Sequence, residues 1–252
     1  MKLKSLAAAA LAVAAASQAH ADIVVSVQGM SELFFVLGND KGSFLLDTGV
    51  TVNALKSASF TSYVQNVTNL AGFSSYVAST TQPTLWGLAV YDGAGTANYN
   101  QLDLISTFSS TAATPVGINN NTFKNGTFGI TGSVALSANN TGTHLTMANG
   151  SSYNAVGTAG YFGSSFWNLG QSSGVQVGNA VGTSSVLIER TGTTSTALSQ
   201  TAVSTLTGYS ASFDGATVTV QGPVAAVPEP SSYAMLAAGL AAVGFVVRRR
   251  RA

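Results

Sequence analysis

Short runs of β-branched and aromatic residues, each broken by glycine, asparagine or aspartate, constrain this chain more than any other feature. Runs of this length and punctuation read as strands joined by tight turns. They fall at Ile23–Gln28, Leu33–Leu37, Ser43–Leu46, Thr51–Leu55, Leu85–Tyr91, Gln101–Phe108, Thr127–Ser137, Thr143–Met147, Ser185–Ile188, Ala202–Ser212 and Thr217–Val220. Asn39-Asp40-Lys41-Gly42 and Asp92-Gly93-Ala94-Gly95 supply turn signals between them. From Phe60 to Val77 the apolar positions drift to helical spacing, which admits a short helix, although Gly72 and several Ser and Thr residues oppose it. No repeat of solenoid length recurs. The expected fold class is therefore mainly β, an antiparallel sandwich-like domain with at most a short helix.

That domain is bracketed by two segments that are not expected to belong to it. At the N-terminus, Lys2 and Lys4 precede an apolar run from Leu6 to Ala16, with small residues Ala19 and Ala21 at the positions signal peptidase requires. Residues 1–21 thus read as a secretory signal peptide, and the mature chain is expected to start at Asp22. At the C-terminus, Val227-Pro228-Glu229-Pro230 is followed by an apolar segment, Ser231–Val247, and then by Arg248, Arg249, Arg250 and Arg251. Two prolines one residue apart hold the backbone extended and readable by a groove. The apolar segment has the length of a short transmembrane helix. The arginines act as a stop-transfer cluster that stays in the cytoplasm, which leaves the domain facing outward.

These three C-terminal features in this order resemble the PEP-CTERM sorting domain, also catalogued as the ice-binding protein C-terminal domain. The resemblance covers residues 227–252. It implies a Gram-negative host, recognition and removal of the tail by a membrane-embedded exosortase after delivery by the Sec and signal peptidase machinery, and frequent association with exopolysaccharide. The implied route is an inner-membrane-anchored intermediate followed by the outer surface or extracellular matrix. The tail reports destination and says nothing of the activity of residues 22–226. Those residues also resemble a group of uncharacterised PEP-CTERM proteins with an early Asp-Thr-Gly turn and a central tryptophan strand, here Asp47-Thr48-Gly49 and Trp86–Gly93.

Composition matters once the ends are set aside. Six of the ten basic residues lie in the two signals, so residues 22–226 keep four (Lys41, Lys56, Lys124, Arg190) against eight acidic ones. A mildly acidic exported domain has no nucleic-acid footprint. It contains no cysteine, so burial and sheet hydrogen bonding must stabilise it without disulfides. Its single histidine, His144, excludes a multi-histidine zinc site. No cofactor and no metal are expected. Surface chemistry rests on neutral groups such as Asn119-Asn120-Asn121-Thr122 and the Thr191–Thr196 run.

Four residue patterns could carry chemistry. Phe44-Leu45-Leu46-Asp47-Thr48-Gly49 resembles the apolar-Asp-Thr-Gly segment of aspartic proteases, a chemistry that needs two carboxylates sharing a proton. Only one such segment is present, so a strand-ending turn is the favoured reading of Asp47. His144 would need a serine elbow, and Gly160-Tyr161-Phe162-Gly163-Ser164 has the wrong order. Asp92, Asn98, Asn100 and Asp103 gather oxygens around a turn without calcium-loop spacing. Thr217 and Thr219 share one strand face, a pair too small for an ice-binding array. The favoured reading is a non-enzymatic envelope or matrix-associated protein with no catalytic residues; the alternatives are a secreted glycan- or ice-binding module, or an aspartic-type hydrolase using Asp47.

Overall fold

The computed structural model describes residues 23–25, 27–79, 84–93, 98–109, 116–145, 149–158, 160–162 and 177–223, with 235–241, 243 and 249 of the tail. Residues 1–222 and 223–252 form two separate units. Among the described residues of the first unit, ten strands join one antiparallel sheet. They are β1 (Glu32–Gly38), β2 (Gly42–Thr51), β3 (Ser62–Asn66), β4 (Leu85–Asp92), β5 (Asp103–Thr107), β6 (Ser151–Ala155), β7 (Asn179–Ala180), β8 (Ser184–Thr191), β9 (Ala202–Phe213) and β10 (Thr217–Gln221). The order across the sheet is β3-β10-β9-β8-β5-β4-β1-β2-β6, and β7 pairs with β4 at Leu85 and Trp86.

One continuous sheet becomes sandwich-like by curling. Phe35 on β1 and Phe213 on β9 are four strand steps apart, a separation of about 19 Å across a flat sheet. Their ring centroids lie 5.1 Å apart. The inner face of the curl is lined by Leu33, Phe35, Leu37, Phe44, Trp86, Leu88, Val90, Ile105, Leu187, Phe213, Val218 and Val220, all buried. Alternation along β1 sends Phe34 and Val36 to the outer face, where they meet Leu45, Ala89, Ile188, Ala135 and Ala138. Each of the large buried side chains contributes about 2–3 kcal/mol through burial. This replaces the disulfides the chain cannot form.

Among the described residues three helices lie on the sheet: α1 (Val52–Leu55), α2 (Phe73–Ser79) and α3 (Asn120–Asn139). Short 3-10 turns span Tyr99–Gln101 and Gly142–Leu145. The helix α3 overturns the strand expected at Thr127–Ser137. Ala135 and Ala138 are spaced for one helix face and pack into the outer-face cluster with Ala89, so small residues let the helix lie close to the sheet. Of the strand expected at Thr51–Leu55 only Thr51 is strand, at the end of β2; Val52–Leu55 form α1, because the Thr51 hydroxyl accepts a hydrogen bond from the Ala54 N–H at 3.1 Å and caps the turn. His144 sits on a 3-10 turn and not on a strand. The segment at Ile23–Val25 is not a strand either: Val24 N–H donates to the Glu32 carboxylate and the Val24 carbonyl accepts from Glu32 N–H. Between Phe60 and Val77 the chain forms β3 before α2, so the helix covers only the end of the span expected.

In the second unit, residues 235–241 are helical. Among the described residues no helix is long and apolar enough to cross a membrane. The signal-peptide residues Ala19 and Ala21, the motif Val227–Pro230, and Arg248, Arg250 and Arg251 lie outside the described residues; Arg249 is helical and exposed.

Candidate functional site

The Asp-Thr-Gly segment is a bulge inside β2. Leu33 faces Val50 and Phe34 faces Asp47, so Thr48 and Gly49 are extra residues in the register. Each polar group there serves the bulge. Gly49 N–H donates to Asp47 Oδ1 at 2.8 Å, Thr48 Oγ1 donates to the Leu33 carbonyl at 2.5 Å, and Val50 N–H donates to Thr48 Oγ1 at 3.1 Å. Gly49 has φ +65°, and a β-carbon on it would meet the Asn149 side chain. Asp47 therefore lies within a strand, where a strand-ending turn was expected. It is buried, and Oδ2 accepts no hydrogen bond among the described residues. Burial first, then repulsion from Glu32, pushes its carboxyl up to about 7, against the stabilising Gly49 N–H.

His144 is fully buried, which places it out of reach of a substrate. Thr217 and Thr219 have Asn66 and Val64 as neighbours on β3, and Thr219 faces Ser212 on β9, so no rank of threonines extends the pair. Asn120, expected on a polar surface, is fully buried and donates to the Thr194 and Thr196 carbonyls.

The acidic residues of the turn region come together differently. Asp92 at the end of β4 stands directly opposite Asp103 at the start of β5, a like-charge pair that would repel if left alone. Each is answered separately. Asp92 accepts from Gly29 N–H at 2.6 Å and from the Ser31 hydroxyl at 2.9 Å. Asp103 pairs with the Lys56 ammonium, which also pairs with Glu189. Glu189 faces Ile105, two residues along β5 from Asp103 on the same face.

The result is a triad of Lys56 just after α1, Asp103 on β5 and Glu189 on β8. Burial opposes the Lys56 charge, but its two carboxylate partners outweigh burial and hold its pKa above the ordinary lysine value. Burial pushes the Asp103 carboxyl up to about 7, Lys56 opposes this, and repulsion from Glu189 adds to it.

Lys56 and Asp103 of the triad line a pocket of about 300 Å³. Asp92, Asn100 and Asp103 line it, so three of the four residues singled out around the turn do meet; Asn98 instead precedes the 3-10 turn. Gln28, Asn53, Gln101 and Thr191 are the other polar side-chain residues of its lining. Sequence reasoning missed Lys56 and Glu189. The available signal was scarcity: Lys56 is one of four basic residues for the whole of residues 22–226, and a cation that rare is worth matching to the acids.

Two units stand at this point, a curled mainly β domain and a separate C-terminal tail. Residues 226–251 match the PEP-CTERM protein-sorting motif. The chain thus carries the tail of an exported protein that passes through a membrane-anchored sorting intermediate, with an exosortase as its processing partner. No curated protein and no solved structure matches the chain.

Proposed function

We propose that this chain is a non-enzymatic protein of the Gram-negative cell surface or its extracellular matrix. On this reading residues 1–21 direct it to the Sec machinery, Ser231–Val247 anchor it, Arg248–Arg251 hold the tail in the cytoplasm, and an exosortase removes the tail near Val227–Pro230. The observation that carries the reading is the sorting motif at residues 226–251. The use of Asp47 as the cap of a strand bulge supports a structural role for the Asp-Thr-Gly segment.

The test is the C-terminal peptide of protein recovered from its native host, by intact mass and peptide mapping. A mature chain lacking Tyr233–Ala252 is expected, together with a full-length product in Glu229→Gln. Wild-type protein still carrying Tyr233–Ala252 would leave a plain membrane anchor. Peptide hydrolysis across acidic pH that disappears in Asp47→Asn would overturn the non-enzymatic part independently.

A further inference from the structure

Four residues with carboxamide side chains, Gln28, Asn53, Asn100 and Gln101, line the pocket together with Lys56 and Asp103. Among the described residues none of these side chains makes a hydrogen bond, and each carboxamide carries a donor and an acceptor side by side. Lys56 has three ammonium hydrogens and two carboxylate partners, which leaves one donor for a ligand. We propose that this pocket binds a neutral, hydroxyl-rich ligand the size of one sugar ring.

The chemistry of the wall selects that class. Carboxamides match vicinal hydroxyls, which also donate and accept at adjacent positions. An anion would meet Asp92 and Asp103 with one already paired cation. A metal ion would meet the Lys56 ammonium. An apolar ligand would find only Val52 and Leu102 among the lining side chains for contact. The volume of about 300 Å³ stands at the lower end of the range for small-molecule sites, roughly 300–1,000 Å³.

The pocket is also held in shape before any ligand arrives. The two hydrogen bonds that Asp92 accepts fix the Gly29–Ser31 turn, and the two carboxylates fix Lys56. Gly93, at φ +85°, allows the backbone to touch the Gln101 carbonyl, where any β-carbon would collide. Preorganisation of this kind lowers the ordering cost of binding. The inference does not rest on the sorting reading, since the pocket belongs wholly to the first unit.

The test uses the full-length chain in a detergent without a sugar headgroup, with methyl α-glucopyranoside, N-acetylglucosamine, glucuronate and glycerol as probes in saturation-transfer NMR. Saturable transfer to a neutral sugar is expected, with dissociation constants around the millimolar range usual for single-ring ligands, and weaker transfer to glucuronate and glycerol. Asn53→Ala with Asn100→Ala should weaken it at least ten-fold. Both side chains are exposed, so an unchanged melting temperature verifies the fold. The isosteric Asn100→Asp should weaken it as well. Absence of saturable transfer from either neutral sugar, equal transfer to glycerol, preference for glucuronate, or binding that survives the double substitution would each overturn the proposal.

Discussion

Glu189 and Arg190 are neighbours on β8 with opposite charges, yet they never meet. Strand alternation sends Glu189 to the inner face, beside Ile105 and Lys56, and Arg190 to the outer face, between Leu104 and Val203. On the inner face one cation answers two carboxyls. On the outer face the fully buried Arg190 guanidinium donates Nη1 to the Thr201 hydroxyl at 2.7 Å, and no acid lies against it among the described residues. Asp47 is the mirror case, a buried acid with no cation paired to it among the described residues. An acid can shed its charge by binding a proton, whereas an arginine keeps its own. The three places therefore respond differently to pH and to substitution.

Asp47 should give the largest effect. Its folded pKa of about 7 lies above the ordinary 3.8, so the folded state holds the proton more tightly than the unfolded state. Stability linked to Asp47 is fully present below pH 3.8, falls as pH rises towards 7, and is absent above that. The whole step amounts to roughly 4 kcal/mol. Asp47→Asn keeps the acceptor for Gly49 N–H and removes the titration. Denaturant unfolding at several pH values should show wild type and variant converging near pH 4 and the variant more stable at pH 8. Parallel profiles would show that Asp47 ionises as freely in the fold as out of it.

Lys56→Met should act in the opposite sense. It leaves Asp103 and Glu189 side by side with no cation, which raises the Asp103 carboxyl further and makes folding still more favourable to the protonated form. The loss should grow as pH rises through 7 and reach about 2 kcal/mol at pH 8. That is less than the ~3–5 kcal/mol of a fully buried broken pair, because the Lys56 side chain is 38% exposed. Adding Glu189→Gln should restore part of the loss. An equal loss at pH 5 and pH 8 would mean that the Lys56 side chain acts through packing and not through charge.

What sequence could and could not show follows the same division between local and distant causes. The strands of Leu33–Leu37, Leu85–Tyr91, Ala202–Ser212 and Thr217–Val220 are legible because residue type and alternation are local. Thr127–Ser137 misleads because its β-branched residues are fewer than its small ones, and packing against Ala89 decides for a helix. Thr51 is strand as expected, but a hydroxyl three residues before an open N–H is also a cap signal, and it turns Val52–Leu55 into a helix. Asp47-Thr48-Gly49 was visible as a motif, but whether it ends a strand or bulges within one depends on register with β1. Asp92, Asn100 and Asp103 could be grouped by proximity in sequence. Lys56 and Glu189 join them from 47 and 86 residues away, through the order of strands across the sheet.

Arg190 should give the smallest effect and the most direct reading of the comparison. Burial alone pushes its guanidinium down to about 10, and at neutral pH it still carries its charge. Nε and Nη2 have no hydrogen-bond partner among the described residues. Substituting Arg190→Met removes one hydrogen bond to Thr201, worth about 1 kcal/mol, and also removes the cost of an unmatched buried charge while filling similar volume. The two terms oppose each other, so thermal unfolding at pH 7 should lie within about 1 kcal/mol of wild type, or roughly 2–4 °C for a domain of this size. Lys56→Met measured at the same pH should be visibly worse. If Arg190→Met is instead the more damaging of the two, the outer face holds a partner for the guanidinium as strong as the carboxylates of the inner face, and the contrast between Glu189 and Arg190 is one of geometry alone.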